Sequence, residues 1–202
     1  NAYTDYEHTF AEKHYVKAML GFNQELTKYN TTTATRQNLI SQDLPSMSLG
    51  TGMQTVSESG YEWALRGGFF RLNYVFNDRY LLEVNGRLDG SSKFPSDSQY
   101  AFFPSVSAGW RVSQEPFWKV PEEIFSNLKV RASYGSLGNG NIDPYSFQEL
   151  FKIKQSSLVL NGIRPQYTGQ PAVIPLGLTW EKSTTLNLGL DFAFLSNRLQ
   201  FS

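Results

Sequence analysis

Charged side chains recur at alternate positions in the segment that holds Glu83, Arg87 and Asp89, and again at Arg111 and Arg131 in two later segments. On an extended chain a spacing of two puts side chains on the same face, so such groups can pair across neighbouring strands or contact a polar ligand. A ladder of structural ion pairs is the plainer use of them. Tyr145, Phe147, Tyr167 and Trp180 stand in polar surroundings, where flat apolar faces with polar rims suit stacking on sugar rings or holding a partner protein. Packing within their own loop is the competing use. Asn139, Asn141 and Asp143 offer oxygens at alternate positions after Gly138, like the start of a calcium loop, but only Glu149 follows as a possible closing ligand. The run GNGNIDP reads more simply as a turn, and no metal site is expected. His8 and His14 have no cysteine or second pair to join, which leaves them poor metal ligands or catalytic bases.

Nothing else in the chain suggests catalysis. There is no GxSxG, no HExxH and no glycine-rich phosphate loop, so neither a catalytic residue nor a cofactor is expected. Eighteen basic and eighteen acidic residues balance, which gives no pull toward nucleic acid. The absence of cysteine excludes disulfide scaffolds and CxxC metal sites. No eighteen apolar residues run together, so a membrane role would have to come from strands. The chain starts at Asn1 without a basic or apolar leader and stops at Ser202 inside an apolar alternation, as though both ends were cut from something longer.

The elements that must position these residues are strands. In Tyr80 to Asp89, Tyr80, Leu82, Val84, Gly86 and Leu88 share one face, while Leu81, Glu83, Asn85, Arg87 and Asp89 share the other. Thr184 to Phe194 is clearer still, with Leu186, Leu188, Leu190, Phe192 and Phe194 opposing Thr185, Asn187, Gly189, Asp191 and Ala193. The same period of two runs through Val16–Phe22, Phe70–Phe76, Phe102–Val112 and Leu128–Tyr134. Pro104 is the awkward member, because a prolyl nitrogen cannot donate to a ladder.

Connections alternate in length. Tight turns are expected at Ala11–Lys13, Asn77–Arg79 and Ser196–Arg198, and long polar loops at about 31–59, 90–99 and 137–177. If consecutive strands are antiparallel, every tight turn falls at one end and every one of those loops at the other. That is the asymmetry of a bacterial outer-membrane barrel, with short periplasmic turns and long external loops. Ser113 to Asn127 is an exception, long but on the short-turn side, with a helical turn suggested around Pro116 and Glu122–Phe125. Depth agrees with the membrane reading. A strand tilted by ~45° climbs roughly 2.3 Å per residue, so an apolar band ~25 Å tall needs about eleven residues. The first charges on the outward rows, Lys28 and Lys182, stand about thirteen residues above Tyr15 and Leu195, clear of the hydrocarbon. Aromatic residues gather at the tight-turn ends, among them Phe10, Tyr15, Phe76, Tyr80, Trp110, Phe117, Trp118 and Phe194, as in an interfacial girdle. The rival is a soluble all-β carbohydrate-binding, lectin-like module, in which a second sheet would cover the apolar face.

The stretch Phe69 to Trp118 resembles the barrel of SusC/RagA-type TonB-dependent transporters. NDRYLLEVNGRLDGSSKF (Asn77–Phe94) and FFPSVSAGWRVSQE (Phe102–Glu115) carry the likeness, with LKVRASYGSLGN (Leu128–Asn139) and LTWEKSTTLNLGLDFAFLSNRL (Leu178–Leu199) following in the family order. The resemblance implies an all-β, antiparallel, up-and-down transmembrane barrel of about 22 strands, of which residues 1–202 would supply seven and the start of an eighth. It places the chain in the outer membrane of a Gram-negative cell, in contact with lipid. It further implies import of glycans or peptides, a SusD-like surface lipoprotein as lid, and coupling to TonB through a plug domain that matches nothing here. In that setting Glu83, Arg87, Asp89, Arg111 and Arg131 would face the lumen, and Tyr145, Phe147, Tyr167 and Trp180 would meet substrate or lid.

Overall fold

Alternation of residue types becomes alternation of faces in a computed structural model of the chain, which describes residues 1–202 apart from Glu122, Leu176 and Asn197. Its strands are β1 (Ala2–Phe10), β2 (His14–Arg36), β3 (Gln54–Phe76), β4 (Tyr80–Ser91), β5 (Tyr100–Arg111), β6 (Phe125–Asn139), β7 (Ile153–Gln155), β8 (Gln166–Thr168), β9 (Glu181–Phe194) and β10 (Leu199–Phe201). Eight of them form one sheet in the order β1-β2-β3-β4-β5-β6-β9-β10, every neighbouring pair antiparallel; β7 and β8 pair separately within the long connection from β6 to β9. The terminal strands β1 and β10 are opposite edges, so the sheet is an open length of wall with the three-residue β10 as its eighth strand. Among the described residues no helix is long and apolar enough to cross a membrane.

The tight turns close through left-handed residues. Ala11 and Glu12 lie at φ 48° and 57°, Asn77 and Asp78 at 50° and 56°, and Leu195 and Ser196 at 52° and 54°. Paired positive φ values match the right-handed twist of the flanking strands, and Asn and Asp adopt them at low cost. Lys13 N–H donates to Phe10 O at 3.1 Å and Arg79 N–H to Phe76 O at 3.0 Å. The third expected turn is closed by Arg198 N–H on Leu195 O at 3.2 Å, its middle residue Asn197 lying outside the described residues.

Directly opposite residues of an antiparallel ladder share a face. Following the register across seven strands gives a polar row of Glu7, Lys17, Asn73, Glu83, Ser107, Ser133 and Asn187. One residue along, the row reads His8, Val16, Tyr74, Leu82, Ala108, Ala132 and Leu188. The apolar rows are bare: Leu186, Leu188 and Leu190 are 66%, 79% and 54% exposed. Among the described residues no second sheet lies over them, and the buried apolar residues are only Phe94, Ala101, Phe103 and Ala193. A sandwich needs its greasy face covered, so the lectin-like alternative is corrected here.

Three boundaries differ from expectation. The β2–β3 ladder continues to Arg36↔Gln54, leaving residues 37–53 as the connection in place of 31–59. The strand extension is Thr31–Thr35 against Thr55–Ser59, polar apart from the single pair Ala34↔Val56, so no apolar row marks it; threonine's liking for extended backbone is the signal that could have. The other two connections run over 92–99 and 140–180. Pro104 stands opposite Gly86 where the β5–β6 ladder has stopped, one residue beyond Ser105↔Gly135, so no ladder partner on β6 lacks a donor. The exceptional connection holds a 3-10 turn at Val112–Gln114 and a second turn in which Ile124 and Phe125 N–H both reach Pro121 O at 3.0 Å. Glu122, part of the expected helical turn, lies outside the described residues.

Candidate functional site

The polar face is the surface on which the sequence-predicted charges meet. Register puts Glu83, Arg87, Asp89, Arg111 and Arg131 all on it. Period-two alternation dictates this, since each occupies an odd position on a strand whose even positions are mainly apolar. They form separate local networks. Arg71 Nε donates to Asn85 Oδ1 at 2.8 Å, and Asn85 Nδ2 donates to Glu83 Oε1 at 2.7 Å. Arg87 Nε pairs with Asp89 at 2.6 Å, Arg87 Nη2 donates to Asn23 Oδ1 at 2.8 Å, and the guanidinium lies 5.6 Å from the Phe69 ring centre. Arg131 Nε meets Asp191 at 3.1 Å and its Nη2 reaches Ser202 Oγ at 3.1 Å. Gly189, opposite Arg131 on β9, lets that guanidinium lie flat, because a Cβ there would stand 2.6 Å from Arg131 Nε. Arg111 instead donates from Nη1 to Asp78 O at 3.2 Å, bracing the Asn77–Arg79 turn.

Between these networks the wall is hollowed. A concavity of about 740 Å³ is floored by Ser107, Gly109, Ser133 and Gly189 and rimmed by Glu83, Lys129 and Arg131. Short side chains on the floor, charges of both signs on the rim and Tyr15, Val75 and Leu81 alongside suit an occupant with both polar and apolar parts. Pairs this open to water each contribute roughly 0 to 1 kcal/mol, so their effect is to hold side-chain direction rather than to stabilise the sheet.

The four loop aromatics have different surroundings. Trp180 packs against Phe94 and Phe103 with ring centres 5.1 and 5.6 Å apart, and its indole N–H donates to Gln99 O at 2.9 Å. Phe94 is wholly buried by this cluster, which ties the β4–β5 connection to the start of β9. Tyr145 Oη accepts the Glu62 N–H at 2.9 Å, so the β6–β9 connection reaches back to the β3 edge where β4 has ended. Phe147 is half-buried, and Tyr167, on the β7–β8 ladder, is 52% exposed. Of the four, Tyr167 is the most available to a ligand and Trp180 is engaged in loop packing.

At Asn139 the side-chain oxygen accepts Asn141 N–H at 3.0 Å while its amide donates to Glu181 at 3.0 Å, the geometry of an Asx turn. His14 Nδ1 bonds Tyr74 Oη at 2.8 Å and His8 lies against Phe10, its ring centre 4.4 Å away. Sequence reasoning missed one arrangement at the short-turn end. Glu115 receives Tyr80 Oη at 2.6 Å, the Trp110 indole N–H at 3.0 Å and Arg79 at 3.3 Å. Hydrogen bonds from Tyr80 and then Trp110, aided by the Arg79 charge, hold its carboxyl below the usual carboxylate value against the opposing effect of burial. The four residues come from three places in the chain, so only the ladder register brings them together.

An eight-stranded sheet with one bare apolar face, one polar face, tight turns at one end and long loops at the other is a piece of outer-membrane β-barrel wall. Its sequence agrees. The family model for TonB dependent receptor-like β-barrels matches residues 1–202, and the chain belongs to that family, within its SusC/RagA type. TonB-dependent receptor P26 of Formosa agariphila is 39% identical over 171 residues, which are 84% of this chain and 16% of that protein. TonB-dependent receptor SusC of Bacteroides thetaiotaomicron is 38% identical over 140 residues, 65% of this chain and 13% of that protein. The RagAB peptide transporter superposes with a TM-score of 0.80 at 25% identity, covering 98% of this chain and 22% of the matched one. The chain therefore spans less than a quarter of the length of these relatives. The first two are named as TonB-dependent receptors and the third as a peptide transporter.

Proposed function

We propose that this chain is the wall and external-loop segment of a TonB-dependent importer of oligosaccharides or peptides that works with a SusD-like surface lipoprotein. The observation that carries the reading is the two-faced register: seven strands present a continuous polar row on one side, and six of them, β2 to β6 and β9, a continuous apolar row on the other. With lipid against the apolar rows, the polar rows line a lumen, where Glu83, Arg87, Asp89, Arg111 and Arg131 meet cargo or a plug domain. The connections 37–53, 92–99 and 140–180 then lie outside the cell, and exposed Tyr167 with half-buried Phe147 offers rings to a sugar or to the lipoprotein. TonB would act through the plug, which lies in another part of the protein.

Deletion of the full gene tests the reading. Cells lacking it should lose growth on one oligomer class, oligosaccharide or peptide, while growth on the corresponding monomers persists. The class that is lost identifies the cargo, and unchanged growth on both would refute import.

A further inference from the structure

The long connection on the short-turn side is the feature that import leaves unexplained. Its path is fixed at two points on the apolar face. Glu115 is clamped beneath Tyr80 and Trp110, which oppose each other on β4 and β5 with rings 6.5 Å apart and nearly parallel. Three residues on, Trp118 packs on Phe125 at 5.4 Å, and Phe125 packs edge-on against Phe194 of β9 at 4.6 Å. Trp118 N–H closes onto Glu115 O at 2.9 Å, which sets the spacing between the two anchors. The segment thus runs across the lipid side of the wall at its rim rather than under the lumen. Between and beyond the anchors it exposes Phe117 at 63%, Val120 at 41% and Ile124 at 62%. Lys119 and Glu123, both exposed, stand among them.

We infer that this connection is a membrane-interface foot that seats Phe117, Val120 and Ile124 among the headgroups and upper acyl chains of the leaflet at the short-turn rim. The patch is continuous with the lipid-facing rows, being held by Tyr80, Trp110 and Phe194, which belong to them. Aromatic and aliphatic groups beside charges are what the interfacial region accepts, with the rings at headgroup depth. With Lys119 set against the carboxylates of Glu122 and Glu123 in this stretch of sequence, the segment fits a zwitterionic phospholipid better than an anionic one. The foot fixes the wall's depth at that rim and draws the exit of β5 and the entry of β6 outward, away from the passage.

The inference rests on the apolar rows facing lipid, and the experiment separates the two ideas. Single cysteines at Phe117, Ile124, Leu188 and Asn187 of the full-length protein carry a fluorophore in phosphatidylcholine vesicles that contain lipids bearing a nitroxide near the glycerol or near the acyl-chain end. The foot predicts loss of fluorescence at Phe117 and Ile124, greater with the shallow nitroxide, while Leu188 is quenched more by the deep one and Asn187 by neither. Quenching at Leu188 without quenching at Phe117 and Ile124 would overturn the foot and leave the lipid face intact. No quenching at Leu188 would remove both.

Discussion

Leu188 and Asn187 are neighbours on β9 that the account sends to different solvents, and an arginine at each measures the difference. Leu188 lies seven residues above Leu195, which at roughly 2.3 Å of climb per residue is about 16 Å above the turn and within a few ångströms of the middle of a band ~25 Å tall. A guanidinium there costs about 2 to 4 kcal/mol. Asn187 opposes Ser133 in the hollow of the polar face, where an arginine stays hydrated. Its nearest like charge is Arg131 on β6, two residues along, which adds at most about 1 kcal/mol. L188R should therefore destabilise the full-length protein by at least ~1 kcal/mol more than N187R, read from urea titrations of folding into lipid vesicles. Lys182, about 30 Å above the turn by the same count, supplies the control, since K182L should be close to neutral. Equal costs for L188R and N187R, or a larger cost for N187R, would refute the assignment of faces.

Trp180→Ala removes packing on Phe94 and Phe103 together with the hydrogen bond to Gln99, at a cost of roughly 3 kcal/mol, and should open the 92–99 and 140–180 connections to limited proteolysis at unchanged barrel content. Arg131→Ala should change stability by less than about 1 kcal/mol in the same titration, because both members of its pair with Asp191 keep contact with water. The Glu115 carboxyl is held below its unfolded value of about 4.5, so its contribution is complete above that value and fades as pH falls through the lower folded value. Acidification should accordingly lower the protection of the amides at 115, 117 and 118 relative to their intrinsic exchange at each pH, and Glu115→Gln should lower it at neutral pH and remove the dependence.

Much of the wall was legible because its chemistry is local. The alternation in Tyr80–Asp89 and Thr184–Phe194 names the two faces without any knowledge of neighbours, and Asn77-Asp78 announces its turn through residues that tolerate positive φ. The candidate charges were placed on one face by parity alone, but their partners were not. Arg87 finds Asn23 two strands away and Arg131 finds Asp191 across β6 and β9, which depends on register. The rest was hidden for physical reasons. Thr31–Thr35 carries no apolar row, so the tall β2–β3 hairpin looked like loop. Trp180 is engaged by Phe94 from a connection far away in sequence, and nothing adjacent to either residue reveals it. Glu115 reads as an ordinary surface acid until the ladder sets Tyr80 opposite Trp110 above it.

Cysteine scanning along β9 tests the assignment of solvents most directly, in a full-length background with any cysteine outside these 202 residues replaced, since residues 1–202 contain none. Substituted one at a time from Thr184 to Phe192 in the membrane-embedded full-length protein, residues at odd positions should react with a small hydrophilic maleimide and those at even positions should stay unlabelled until detergent is added. Labelling without alternation, or alternation in the opposite phase, would contradict the account.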